Sequence, residues 1–138
     1  MTFDELDRRF PNGFDDAEIH SLTLDYQNRT VTLHLNLRGN SPDSPDRDVY
    51  DRAVLTLREF HYFSIDPPHP DQLFYPERTK LTFDGLPEDP SQFPLFEILK
   101  PKLAAGAFCC RFYVHDWNSF IHIAAQDAEF SWVGDRPK

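Results

Sequence analysis

Residues 13–38, GFDDAEIHSLTLDYQNRTVTLHLNLR, decide the fold. From residue 22 onward, Leu22, Leu24, Val31, Leu33, Leu35 and Leu37 alternate with Thr23, Asp25, Thr30, Thr32, His34 and Asn36. A period of two marks strands with one dry face, because successive side chains leave opposite sides of the pleat. With Gln27 and Asn28 as a two-residue turn, Leu24 faces Val31, Leu22 faces Leu33 and Thr23 faces Thr32. Both strands then agree on the buried side, so the spacing predicts a hairpin. Ile19 is out of phase with Leu22, which predicts a bulge near His20 and Ser21. The acidic run Asp15, Asp16, Ala17 and Glu18 reads as a loop leading into the first strand.

Working outward, residues 2–10 read as a short helix. Thr2 and Glu5 have capping-box spacing, and Phe3, Leu6 and Phe10 form a narrow apolar stripe. Pro11, Asn12 and Gly13 end it. Residues 39–48, GNSPDSPDRD, are loop. Residues 49–65 read as extended, with a phase slip after Leu57 that predicts a bulge or bend before the aromatic run Phe60, His61, Tyr62 and Phe63. The prolines that follow Asp66 must leave the sheet. Residues 79–84 suggest a short strand, residues 85–94 a turn-rich segment, and residues 96–99 one helical turn.

The second strong signal is C-terminal. Residues 106–115 and 119–126 read as a hairpin about Trp117 and Asn118, with Val114 opposite Ile121, Phe112 opposite Ile123 and Cys110 opposite Ala125. On the other face the same register sets His115 against Phe120, Tyr113 against His122 and Arg111 against Ala124. A last strand over residues 129–133 returns tightly from Asp127 and Ala128. The expectation is a mainly β protein: an antiparallel β-sandwich or half-open barrel of about six or seven strands with a short N-terminal helix. Residues 1–138 should form a single domain, which at that length buries roughly two thirds of its unfolded surface.

Composition narrows the function. The net charge of −9 disfavours nucleic acid and anionic membranes as partners, because phosphate binding needs a cationic face. It suits a basic protein partner. No run approaches the ~20 apolar residues of a membrane span, and the N-terminus has no apolar signal region. Cys109 and Cys110 are adjacent and should point to opposite faces, so no disulfide framework forms. A cytoplasmic location follows. Homodimerisation through sheet edges stays open.

Chemistry-bearing motifs are sparse. There is no nucleophile elbow and no glycine-rich phosphate loop, so no catalytic residue is assigned and an enzyme is the minority reading. No zinc spacing occurs; no metal and no cofactor are expected. The residues placed at a candidate binding site are Asp15, Asp16, Glu18, His20, His34 and Trp117. The acids, with His20 and His34 approaching across the hairpin, would contact a partner. Trp117 and the aromatic run would make a patch for a partner, a small ligand or a carbohydrate. A metal-dependent hydrolase built on Asp16, His20 and His34 is the remaining alternative.

The segment GFDDAEIHSLTLDYQNRTVTLHLNL, together with FIHIAAQDAEFSW near the C-terminus, resembles a loose group of small bacterial β proteins. These open with a Phe-His-Asp-Ala-like loop before a hairpin, and several resemble immunity proteins of bacterial polymorphic-toxin systems. The similarity leaves residues 39–105 unmatched. Asp15 stands where the group shows histidine, while Asp16 and Ala17 fit. The resemblance implies a β fold and an immunity-type protein-binding role.

Overall fold

The computed structural model describes residues 1–67, 81–89 and 103–134. Its elements are α1 (Phe3–Asp7), β1 (Phe14–Asp25), β2 (Thr30–Leu37), β3 (Asp51–Arg58), β4 (Tyr62–Ile65), β5 (Leu81–Glu88), β6 (Phe108–Val114), β7 (Ser119–Ala125) and β8 (Asp127–Trp132). All eight strands belong to one antiparallel sheet in the order β4-β7-β6-β5-β1-β2-β3-β8, not closed into a barrel. The predicted fold class holds, with the short helix at the N-terminus and slightly more strands than expected.

The leading hairpin forms in the register its alternation demands. Leu24 pairs with Val31, Leu22 with Leu33 and Thr23 with Thr32, and the register shifts between Ile19 and Ser21, as the phase break requires. Val31, Leu33, Leu35 and Leu37 are buried, whereas Leu24 is 42% exposed because the hairpin tip projects past the core. The acidic run is not a loop. Asp15 to Glu18 lie within β1, which is already paired with β5 from Phe14.

Two corners curl the sheet. Only Gln126 separates β7 from β8, and only Glu59, Phe60 and His61 separate β3 from β4, yet each jump crosses from one end of the sheet to the other. The ladder continues around the corner: the Gln126 N–H donates to the Arg58 carbonyl at 3.1 Å and the His61 N–H to the Ala124 carbonyl at 2.7 Å. Glu59, at φ 53°, absorbs the unequal residue count, as bulged strands do where a sheet turns. This is the bend that the phase slip after Leu57 predicts. It also means β8 pairs with β3 rather than returning on β7, a correction to the tight return expected.

The inner face carries the core: Phe14, Leu33, Leu35, Leu55, Leu57, Phe83, Phe112 and Ile123 are all but fully buried. Helix α1 plugs this interior. Its capping box forms, with the Thr2 hydroxyl accepting from Glu5 N–H and the Glu5 carboxylate accepting from Thr2 N–H. Phe3 packs on Phe14 and Phe112 at 4.9 and 5.6 Å between ring centres, and Phe10 on Phe130 at 4.7 Å. The Met1 amino group pairs with Asp127, and the Met1 carbonyl accepts from Ala128 N–H, tying the helix to β8. No helix among the described residues is long and apolar enough to cross a membrane.

Two further expectations are corrected. The C-terminal hairpin pairs Val114 with Ser119, Phe112 with Ile121 and Cys110 with Ile123, two residues from the expected register. His115–Trp117 form a turn of 3-10 helix closed by Asn118 in the left-handed region, so the connection is centred on Asp116 and Trp117 rather than on Trp117 and Asn118. A shift of two preserves which face each side chain occupies. Second, β5 runs on through Gly85 to Glu88, although that segment reads as turn-rich. Pro87 is tolerated because β1 pairs with β5 only as far as Gly85, leaving Pro87 with a ladder on the β6 side alone. The helical turn expected over residues 96–99 lies outside the described residues.

Gly85 tests this packing. A Cβ there would lie 2.9 Å from Phe14 Cβ and 2.9 Å from Phe112 Cε1, both fixed in the core. Gly85→Ala is expected to lower stability by about 1–3 kcal/mol in urea unfolding, the usual cost of overpacking.

Candidate functional site

The sheet brings one set of ionisable groups together at the start of β1. Phe14 pairs with Gly85 and Ala17 with Phe83, so Asp15 and Asp16 together oppose the single residue Asp84. This two-against-one arrangement is a β-bulge. Asp16 takes φ 49°, a left-handed conformation that aspartate tolerates better than most side chains. Its N–H donates to Asp84 Oδ1 at 2.7 Å, and its carbonyl accepts from the Tyr50 hydroxyl at 2.8 Å. Asp84 Oδ2 lies 2.7 Å from Nε2 of His115, the first residue of the turn after β6. Arg38 reaches Asp16 at 3.5 Å and Asp48 at 3.9 Å, and lies 5.9 Å from the centre of the Tyr50 ring.

Carboxylates dominate this corner. Burial first, then the charges of Asp84 and Asp16, push the Asp15 carboxyl above its ordinary pKa, with Arg38 opposing. Asp16, Asp84 and His115 each place one ligand atom within 4.8 Å of the others, the one such grouping of His, Cys, Asp or Glu among the described residues. Such a set can take a divalent cation or the ammonium and guanidinium groups of a partner. The meeting of Asp84 and His115 with Asp16 escapes sequence reasoning because strand pairing alone brings them together. The available signal is the three-residue spacing of Phe14 and Ala17, both apolar and out of a period of two.

The other predicted site residues disperse. Glu18 is half-buried and accepts from Asn36 Nδ2 at 3.1 Å, a cross-strand pair. His20 and His34 are exposed and line a cavity of about 330 Å³ with Leu35, Arg52, Ala53, Val54 and Val133. They do not join Asp16, so the ligand set Asp16, His20 and His34 is not assembled. Trp117 does not stand free at a turn tip; it is half-buried and packs against the main core. Of the aromatic run, Phe60, Tyr62 and Phe63 border a groove beside the first hairpin tip.

The outer face of β5, β6 and β7 holds a second polar group. His122 Nδ1 lies 3.1 Å from Glu88 Oε2, and Arg111 lies 3.7 Å from Glu88 Oε1, the Glu88 side chain being only 3% exposed. Arg111 sits opposite His122, not Ala124 as the expected register had it, and its guanidinium is 5.5 Å from the centre of the Phe120 ring. Cys109 lies beside Glu88 on this face, while Cys110 faces the core. Burial, then the Glu88 charge, pushes the Cys109 thiol up to about 12, and burial holds Cys110 well above its ordinary value. Neither forms the thiolate that nucleophilic chemistry needs.

The chain matches no family model, no curated protein and no solved structure.

Two outcomes follow from these titrations. The folded-state pKa of Asp15 lies above its unfolded value, so its ionisation opposes folding; the penalty is absent at acid pH and develops as pH rises through the carboxylate range. Asp15→Asn should therefore raise the urea midpoint at about pH 7 and leave it unchanged at about pH 3. Thiol reagents should label neither cysteine in the folded protein at neutral pH and both in denaturant, as counted by mass spectrometry.

Proposed function

We propose that this is a non-catalytic binding module whose acidic surface, centred on Asp15, Asp16 and Asp84, docks a basic surface of another protein. An immunity-type role, covering a cationic toxin surface, is the specific form that the resemblance at both chain ends favours. The observation that carries the reading is the crowding of Asp15, Asp16 and Asp84 on one another across the bulge, with Arg38 reaching Asp16 and Asp48. In the free protein burial, then the charges of Asp84 and Asp16, raise the Asp15 pKa; a lysine or arginine from a partner would offset that repulsion. The net charge of −9 adds long-range attraction that speeds encounter.

The test uses the product of the neighbouring reading frame, where that encodes a secreted toxin. The purified proteins should bind at low salt, and Asp15→Asn with Asp16→Asn should slow association by about tenfold, the gap closing as salt screens the field. Equal association by the double variant at every salt concentration, or no binding at low salt, sinks the proposal.

A divalent cation held by Asp16, Asp84 and His115 is the second reading, favoured by the approach of their ligand atoms. Calorimetric titration of chelator-free protein with Mn²⁺ or Zn²⁺ decides it. Heat that disappears in Asp84→Asn supports the site; no heat, or heat unchanged by that substitution, removes it.

A further inference from the structure

The corner that bends the sheet also builds a groove that the acidic surface does not use. It measures about 740 Å³, within the range of small-molecule sites, and is lined by Leu24, Tyr26, Arg29, Phe60, His61 and Phe63 among others. Phe60 and His61 fall between β3 and β4, so neither is committed to a strand face. The opposite wall is the projecting hairpin tip, where Tyr26 is 81% exposed and meets Phe60 edge-on at 6.3 Å.

Arg29 fixes the chemistry of this groove. Its Nη2 donates to the Phe60 carbonyl at 2.9 Å and approaches His61 Nδ1 at 3.1 Å. A guanidinium has hydrogens to give and no lone pair to accept with, so Nδ1 must be the bare, accepting nitrogen. The proton of the neutral ring then resides on Nε2. Burial, and secondarily the Arg29 charge, lower the His61 pKa against the opposing charge of Glu59, which keeps the ring in this neutral form at neutral pH. Nε2 is buried and makes no hydrogen bond. Nε2 is thus closed off, Arg29 is the cation that the groove presents, and no carboxylate is among its described lining residues in a chain of net charge −9.

The geometry points to this groove as a binding site for a small organic acid: a planar apolar body against Tyr26 and Phe60, and a carboxylate paired with the exposed Arg29 guanidinium. Aromatic walls contribute area and stacking without selecting charge. Arg29 supplies the selection, since a charge-assisted hydrogen bond discriminates an acid from its neutral amide where ring stacking cannot. Because this groove is separate from the acidic surface at Asp15, Asp16 and Asp84, neither proposal depends on the other.

Indole-3-acetate and its neutral counterpart indole-3-acetamide are the probes, titrated into the full chain and followed by two-dimensional NMR of the backbone amides. Indole-3-acetate should shift the amides of residues 24–29 and 60–63, and indole-3-acetamide should bind at least about tenfold more weakly. Arg29→Gln should abolish that preference, and Tyr26→Ala should weaken both probes. Tyr26 is mostly solvent-exposed, so that variant folds even where Arg29→Gln disturbs the corner. Equal binding of acid and amide to the unaltered protein, shifts confined to other residues, or no shifts at millimolar probe would each overturn the proposal.

Discussion

The hydrogen-bond ladder that turns the corner at Gln126 and Arg58 is the constraint on which the molecule depends. Eight strands whose inner faces are rich in leucine and phenylalanine cannot stay flat in water, because a single sheet leaves that face wet. Continuing β7 into β8 through one residue, beside β3 continuing into β4 through three, folds the ends of the sheet toward each other without breaking the ladder. Phe3, Leu6 and Phe10 then cover what the curl leaves open. Both surfaces of functional interest follow from this curvature: one corner frames the aromatic groove, and the bulge in β1 sets the acidic cluster at the rim.

Much of the backbone was legible in the sequence, for a physical reason. Where a strand buries one face, alternation encodes register directly, and the leading hairpin was readable to the residue, including its bulge at His20. The C-terminal hairpin was readable only to its faces. A register shift of two leaves Val114, Phe112 and Cys110 apolar-side-in either way, so only the turn could decide, and a 3-10 turn with left-handed Asn118 leaves no plain signal in Asp116, Trp117 and Asn118. The partner of β8 was not readable at all. Chain proximity favours β7, and pairing with β3 emerges only once the sheet curls.

The candidate site was half legible. Asp15 and Asp16 stood out as adjacent acids, but their partners Asp84 and His115 lie far along the chain and are delivered by β5 and by the turn after β6. His20 and His34 drew attention as residue types that bind metals, and the fold leaves them away from the carboxylates. Trp117 shows the opposite error. A tryptophan near a turn suggests display, yet the apolar area it covers by packing back onto the core is reason enough for its place. Local pattern reports burial well; it reports the meeting of polar groups from distant strands poorly.

The bulge at Asp15 and Asp16 also separates two parts of the molecule that would otherwise change together. In a regular strand, inserting or reshaping a residue slips the register and turns core side chains outward. Here the irregularity is already confined between Phe14 and Ala17, both buried and anchored to β5, and the hairpin beyond takes its register from its own turn. The rim residues are therefore free to vary in charge and shape while the core keeps its arrangement. A scaffold of this kind can be re-addressed to a new partner through a few surface changes, with its folding left to the strands behind them.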